Sequence, residues 1–308
     1  MRITNRMMVD NAIHNMSDNL EKLSKLQNRV STGKQFQNAS EDPARASISL
    51  SLHSRLSTLD SYSDTADITK DWMMASDSAF EQMENIAVRA QNLILRGLND
   101  PLSASERATT LATEMQDLLN QAVEVGNTSE NSQYIFAGYQ VNNKAFELVD
   151  SAMTLTDYKG VAFTPKVVNY LGDQGIMQRN LGPDQSVTLN VRGDQALAGF
   201  LQNLVSAGNA LLQNDTTSLQ TILGNLHSSL DVMDQYRTSN GARLRQVESA
   251  SNFLDTVKIE TKSLLSKNEN INMAEGIALL ANQQTTYDAV LEVSQRAISA
   301  LSLFDYLR

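Results

Sequence analysis

Residues 273–308 read MAEGIALLANQQTTYDAVLEVSQRAISALSLFDYLR, and in them Met273, Ile277, Leu280, Gln284, Tyr287, Leu291, Ser294, Ile298 and Leu301 fall alternately four and three apart. That spacing draws one apolar seam along one side of a helix. A second stripe, Val290, Val293, Ala297, Ala300, Phe304 and Leu307, runs beside its last half, so this helix is apolar over more than one partner's width. The other end of the chain answers it: Val9, Ile13, Met16, Leu20, Leu23, Gln27 and Val30 keep the same rhythm. The two ends are expected to pair as a coiled coil and then to pack on further copies of the chain. Gln27 and Gln284, at seam positions, are candidates for fixing register, with a solvent-facing role as the equal alternative.

Inward from these ends the pattern stays helical. The first helix should run from about Met7 to Val30 and stop at Ser31-Thr32-Gly33, where glycine can take the left-handed conformation that ends helices. Asp42-Pro43 restarts it, the aspartate as cap and the proline at the first helical position. Leu52, Leu59, Ala66, Met73, Phe80, Ala87 and Ile94 then recur every seven residues, with no proline or glycine before Gly97. At ~1.5 Å per residue such a helix would be about 80 Å long. Asn99-Asp100-Pro101 should end it. Ser103 or Ser105 can cap a returning helix with the stripe Ala108, Leu111, Met115, Leu118, Ala122 and Val125, closed at Gly126-Asn127.

From Tyr134 the period changes to two in YIFAGYQV, FELV, MTLTDYKGV, AFTPKVVNYL and QSVTLNVRG, segments rich in β-branched and aromatic residues between turn residues. Helical spacing resumes after Arg192 and continues to the polar Lys267–Asn270. The expected fold is therefore mainly α with a small β-rich insert: a rod of long antiparallel helices, with the terminal helices in a coiled coil and the β part at the distal end. Its expected domains are 1–41 with 271–308 for assembly, 42–132 with 193–270 as a helical middle, and 133–192 as a β-rich outer part.

The chain has 308 residues, a formal charge of −10, aromatic residues at 6%, four prolines and no cysteine. The negative charge opposes nucleic-acid binding, and the absence of cysteine removes disulfides, thiolate metal sites and a cysteine nucleophile. The N-terminal stretch lacks the ~7–15 apolar residues of a cleavable signal peptide, and no stretch approaches the ~20 of a membrane span; no membrane insertion is expected. His14, His53 and His227 are far apart and form no metal-ligand pair. Ser31-Thr32-Gly33-Lys34 lacks the upstream glycine and the following Ser or Thr of a phosphate loop. No catalytic residue, cofactor or metal site is expected, and the chain reads as a non-enzyme.

Leu26–Ser47, LQNRVSTGKQFQNASEDPARAS, and Ile277–Leu307 resemble the two ends of the flagellin family. The opening Met1-Arg2-Ile3-Thr4, the segment Tyr134-Ile135-Phe136-Ala137-Gly138 and the ending Ser302-Leu303-Phe304-Asp305-Tyr306-Leu307 look more like the members at the hook–filament junction than like filament subunits. Pro43-Ala44-Arg45 departs from filament flagellins in the same direction. The resemblance implies a structural adaptor of the bacterial flagellum, a ring of copies of this chain between the first hook-associated protein and flagellin. It also implies export without a cleaved signal peptide, through the flagellar type III apparatus, and a cytoplasmic export chaperone bound to the C-terminal region. The expected assembly interface is Val9, Ile13, Met16, Leu20, Leu23 and Val30 at one end and Ile277, Leu280, Leu291, Ile298, Leu301, Phe304 and Leu307 at the other. The alternatives are a flagellin filament subunit and a secreted helical effector.

Overall fold

The computed structural model describes the backbone of residues 2–99 and 103–306, and side chains at 7, 9–99 and 103–296. Asp100 and Pro101 of the expected helix stop, and Leu307, lie outside the described residues, as do the side chains of Ile298, Leu301 and Phe304. The fold is mainly α with small antiparallel β-ribbons. By contact the chain forms two compact units, Met1–Leu59 with Thr256–Arg308, and Asp60–Asp255.

The first unit is built from α1 (Arg2–Thr32), the start of α2 (Pro43–Leu98), the end of α7 (Thr216–Glu269) and α8 (Met273–Tyr306). Gly33 ends α1 with φ +69°, a conformation that costs a side-chain-bearing residue about 1 kcal/mol or more. Asp42 opens α2, its Oδ1 accepting the Arg45 N–H at 3.0 Å. α1 packs on α8.

In the second unit, five consecutive members of the seven-residue repeat on α2, Ala66, Met73, Phe80, Ala87 and Ile94, are buried. α3 (Ala104–Glu106) starts in a capping box: Ser103 Oγ accepts the Glu106 N–H, and the Glu106 carboxylate accepts the Ser103 N–H. This reciprocal pair, chiefly the Ser103 N–H, holds the Glu106 carboxyl below its ordinary pKa. A π-helical turn, Arg107–Leu111, leads into α4 (Ala112–Gly126). α4 packs against α6 (Ala198–Gln213), which follows the short α5 (Gly193–Ala196). α7 is a single helix of 54 residues despite Gly224 and Gly241. Buried Asn240 donates to the Met73 carbonyl at 2.8 Å, and Arg237 bridges Asp77 at 3.0 Å and Glu84 at 2.6 Å.

The insert between α4 and α5 holds four antiparallel two-stranded ribbons. They are β1 (Ser129–Glu130) with β2 (Gln133–Tyr134), β3 (Phe146–Asp150) with β6 (Lys166–Tyr170), β4 (Leu155–Thr156) with β5 (Ala162–Phe163), and β7 (Gln178–Gly182) with β8 (Gln185–Thr188). Two details differ from the sequence reading. Of YIFAGYQV only Tyr134 is in a strand: Ile135, Phe136 and Ala137 are fully buried in a turn, because Gly138 at φ +69° swings the chain back onto the Asp173 loop. β7 is a strand with exposed Gln178, Arg179 and Asn180, too polar for an alternating apolar signal.

The insert shares the main core instead of forming its own. Phe136 meets Phe80 of α2 edge-on, ring centres 5.6 Å apart, and Phe146 lies 5.3 Å from Tyr170. The Tyr170 hydroxyl sits between the carbonyls of Phe136 (2.9 Å) and Asp173 (3.0 Å). Burial, and then the charges of Asp194 and Asp173, push its pKa up to about 12. Gly193 passes so close that a β-carbon there would fall 2.7 Å from the Phe136 carbonyl oxygen.

Candidate assembly interface

The α1–α8 pair buries a narrower and smaller stripe than the seam read from spacing. On α1 the covered positions are Val9, Ala12, Met16, Asn19, Leu23, Leu26, Arg29 and Val30, with Leu23 the most buried. On α8 they are Gly276, Leu280, Gln283, Tyr287, Val290 or Leu291, and Ser294. Both stripes keep the alternation of three and four but enter it one step over. Ala12, Asn19 and Leu26 replace Ile13, Leu20 and Gln27, while Gly276 and Gln283 replace Ile277 and Gln284. The cause lies at the end of the pair: a β-carbon on Gly276 would stand 2.7 Å from Ile271 Cδ1 and 3.3 Å from Val30 Cγ2. The helices come together on glycine there, and Ile277 is turned outward.

What is left outside is apolar. Ile13 and Leu20 are 49% and 50% exposed, and Ile277 and Leu279 are 53% and 47% exposed. Were the helix pair self-sufficient, the larger side chains would occupy its interior, since transfer free energy grows with apolar area. Instead α1 carries an open apolar stripe, Ile13 and Leu20, beside its covered one, and α8 carries open apolar side chains on both flanks of its covered stripe, Ile277 on one and Leu279 on the other.

A polar clasp closes the α2 end of the pair. The Gln35 N–H donates to the Glu269 carbonyl at 2.6 Å and the Ile271 N–H to the Gly33 carbonyl at 2.9 Å, with Lys34 and Asn270 in an antiparallel bridge. The Glu269 carboxylate accepts from Lys34 Nζ at 2.5 Å and from His53 Nε2 at 2.9 Å. Asn268 Nδ2 donates to the Arg45 carbonyl at 2.8 Å and to Ser49 Oγ at 2.9 Å. The connection after α1 and the corner before α8 are thus held to each other and to the first turns of α2.

The Lys34 hydrogen bond, with smaller help from His53 and Ser49, holds the Glu269 carboxyl below its ordinary value against the opposing cost of burial. A depressed carboxyl stabilises the fold above its unfolded pKa, and that contribution is lost as pH falls through the folded value. Lys34 and His53 remain 46% and 57% exposed, so the contribution is at most about 1 kcal/mol. Glu269→Gln should lower thermal stability slightly at pH 7 and flatten the loss of stability below about pH 4.3. Thermal melts of both chains from pH 3 to pH 7 measure it.

The structure therefore brings Val9, Met16, Leu23, Val30, Leu280 and Leu291 of the expected interface into the helix pair, and leaves Ile13, Leu20 and Ile277 open. Gln27 and Gln284 are exposed and do not meet; the polar pair in the seam is Asn19 with Gln283, at 3.0 Å. Asn19 and Gln283 were present in the same three-and-four grid but are polar, and a search for apolar repeats passes over them. Among the described residues no group of three or more histidine, cysteine or acidic side chains is placed to hold a metal. None of the described helices is long and apolar enough to cross a membrane.

Residues 3–141 match the model of the bacterial flagellin N-terminal helical region. Flagellar hook-associated protein 3 of Salmonella typhimurium strain LT2 is 24% identical over 328 aligned positions, spanning 100% of this chain and 100% of that protein. A flagellin of Clostridium tyrobutyricum is 25% identical over 142 residues, 46% of this chain and 37% of its own length. The fold is that of the flagellar junction protein FlgL from Legionella pneumophila, with a TM-score of 0.52 at 13% identity over 72% of this chain and 99% of that one. The chain thus carries a bacterial flagellin N-terminal helical region over residues 3–141, is similar along its whole length to flagellar hook-associated protein 3, and shares the fold of the FlgL junction protein.

Proposed function

We infer that this chain is a structural adaptor at the junction of flagellar hook and filament. The observation that carries the reading is the apolar surface left open beside the covered stripe: Ile13 and Leu20 along one side of α1, and Ile277 and Leu279 on the two flanks of α8. Covering the exposed half of each side chain in a neighbouring copy contributes about 1 kcal/mol apiece, one part of the contact between neighbours in a ring of copies of this chain. Residues 1–41 and 271–308 form the assembly part, 42–132 and 193–270 the helical middle, and 133–192 the outward β-rich part. The ring meets the first hook-associated protein on one side and flagellin on the other. Export proceeds without a cleaved signal peptide, the C-terminal region held by a cytoplasmic chaperone until then. The role is structural, without turnover. Full-length similarity to hook-associated protein 3, against 46% coverage by the flagellin, favours the junction over the filament.

A strain lacking this chain tests the reading by electron microscopy and swimming. Hooks without filaments, flagellin in the medium, and rescue by the full chain but not by one lacking Val293–Arg308 are expected. Normal filaments in the deletion strain would overturn the assignment.

A further inference from the structure

Arg29 and Tyr287 also border the covered stripe of α1 and α8, but the polar contact between the two helices lies at one level, where Gln283 Nε2 donates to Asn19 Oδ1 at 3.0 Å and lies 3.4 Å from the Asn19 carbonyl. Asn19 Nδ2 is in turn tied to the Asn15 carbonyl at 2.7 Å, which fixes the side chain's amide and aims its oxygen at Gln283. Both side chains are partly buried. The geometry points to Asn19 and Gln283 as positioning residues that select the register of α1 against α8.

A repeat of three and four residues gives two helices several near-equivalent alignments, each one heptad apart. Sliding α1 by seven residues either way brings Ala12 or Leu26 to the level of Gln283, so both amides lose their partner inside an otherwise apolar stripe. An unpaired buried amide is penalised more than a made hydrogen bond is rewarded, so the pair acts chiefly against the wrong alignments. Gly276 beside Val30 marks the native alignment at the other end of the seam. This assignment concerns contacts within one chain and stands apart from the function proposed above.

The chain has no cysteine, so engineered pairs report alignment without background. With Ile271→Ala in every chain to clear the 2.7 Å contact that a β-carbon at 276 would make, V30C/G276C reads the native register, because that β-carbon lies 3.3 Å from a Val30 methyl; L23C/G276C reads a slip of one heptad. In the otherwise native chain, mild oxidation should close the first pair within a monomer and leave the second open. In the N19L/Q283L background helicity should be kept, while closure of L23C/G276C within a monomer rises at least about tenfold over the otherwise native chain. If L23C/G276C stays open in that background, the clasp and apolar packing set the register without the amide pair, and the assignment fails. It fails equally if V30C/G276C does not close in the native background.

Discussion

Phe136→Ala lowers the stability of the Asp60–Asp255 unit by about 3–5 kcal/mol, the cost of removing a fully buried phenylalanine. The ring sits in a turn whose carbonyls are already engaged: Phe136 O accepts from the Gly193 N–H at 3.2 Å and from the Tyr170 hydroxyl at 2.9 Å. Those bonds hold the backbone in place, so the cavity cannot collapse readily and the cost falls in the upper part of the range. Its edge-on contact with Phe80 is lost as well. For a unit of this size the melting temperature should drop by about 10 °C. Trp72, the single tryptophan, lies in the same buried cluster and reports unfolding by its fluorescence. Phe136→Leu, which keeps much of the volume, should cost far less; equal loss from both would show that the turn and not its filling governs stability.

The double variant I13D/L20D should abolish association between copies while leaving the monomer folded. Both positions are about half exposed in the single chain, so two carboxylates there remain solvated and the helix pair is spared. In an assembly the same charges would be buried without partners, at a cost of several kcal/mol each, on top of the lost apolar burial. A deficit of at least about 4 kcal/mol corresponds to roughly a thousandfold weaker association. Circular dichroism of the monomer should be unchanged, and the variant should fail to restore swimming. Unimpaired association of a folded I13D/L20D chain would place the contact elsewhere.

The helices were legible because their signals are local. A cap such as Asp42-Pro43, a stop such as Gly33, and the seven-residue recurrence from Leu52 to Ile94 each depend on residues within a turn or two of one another. Which face of α1 meets α8 was not legible, for a physical reason. The grids through Ile13 and Leu20 and through Ala12 and Asn19 share Val9, Met16, Leu23 and Val30, and differ by a rotation of one residue, about 100° at each alternate position. Local hydrophobicity prefers the first. The structure takes the second because Gly276, some 240 residues away, lets the backbones approach on that side. The turn at Ile135–Ala137 escaped for a similar reason, since an apolar run buried by distant Gly193 and Asp173 carries the same composition as a strand.

The clasp between Gly33–Gln35 and Glu269–Ile271 also sets a timetable. During synthesis α1 emerges more than two hundred residues before its partner α8 and the far half of the clasp. Asp60–Asp255 is complete before either, and domains fold as their segments appear. For nearly the whole of translation α1 therefore has neither partner nor clasp, and both of its apolar stripes stay without the alignment that assembly requires. A truncated chain, lacking α8, cannot present a finished α1 to its neighbours, so only copies that carry α8 are competent to be built in.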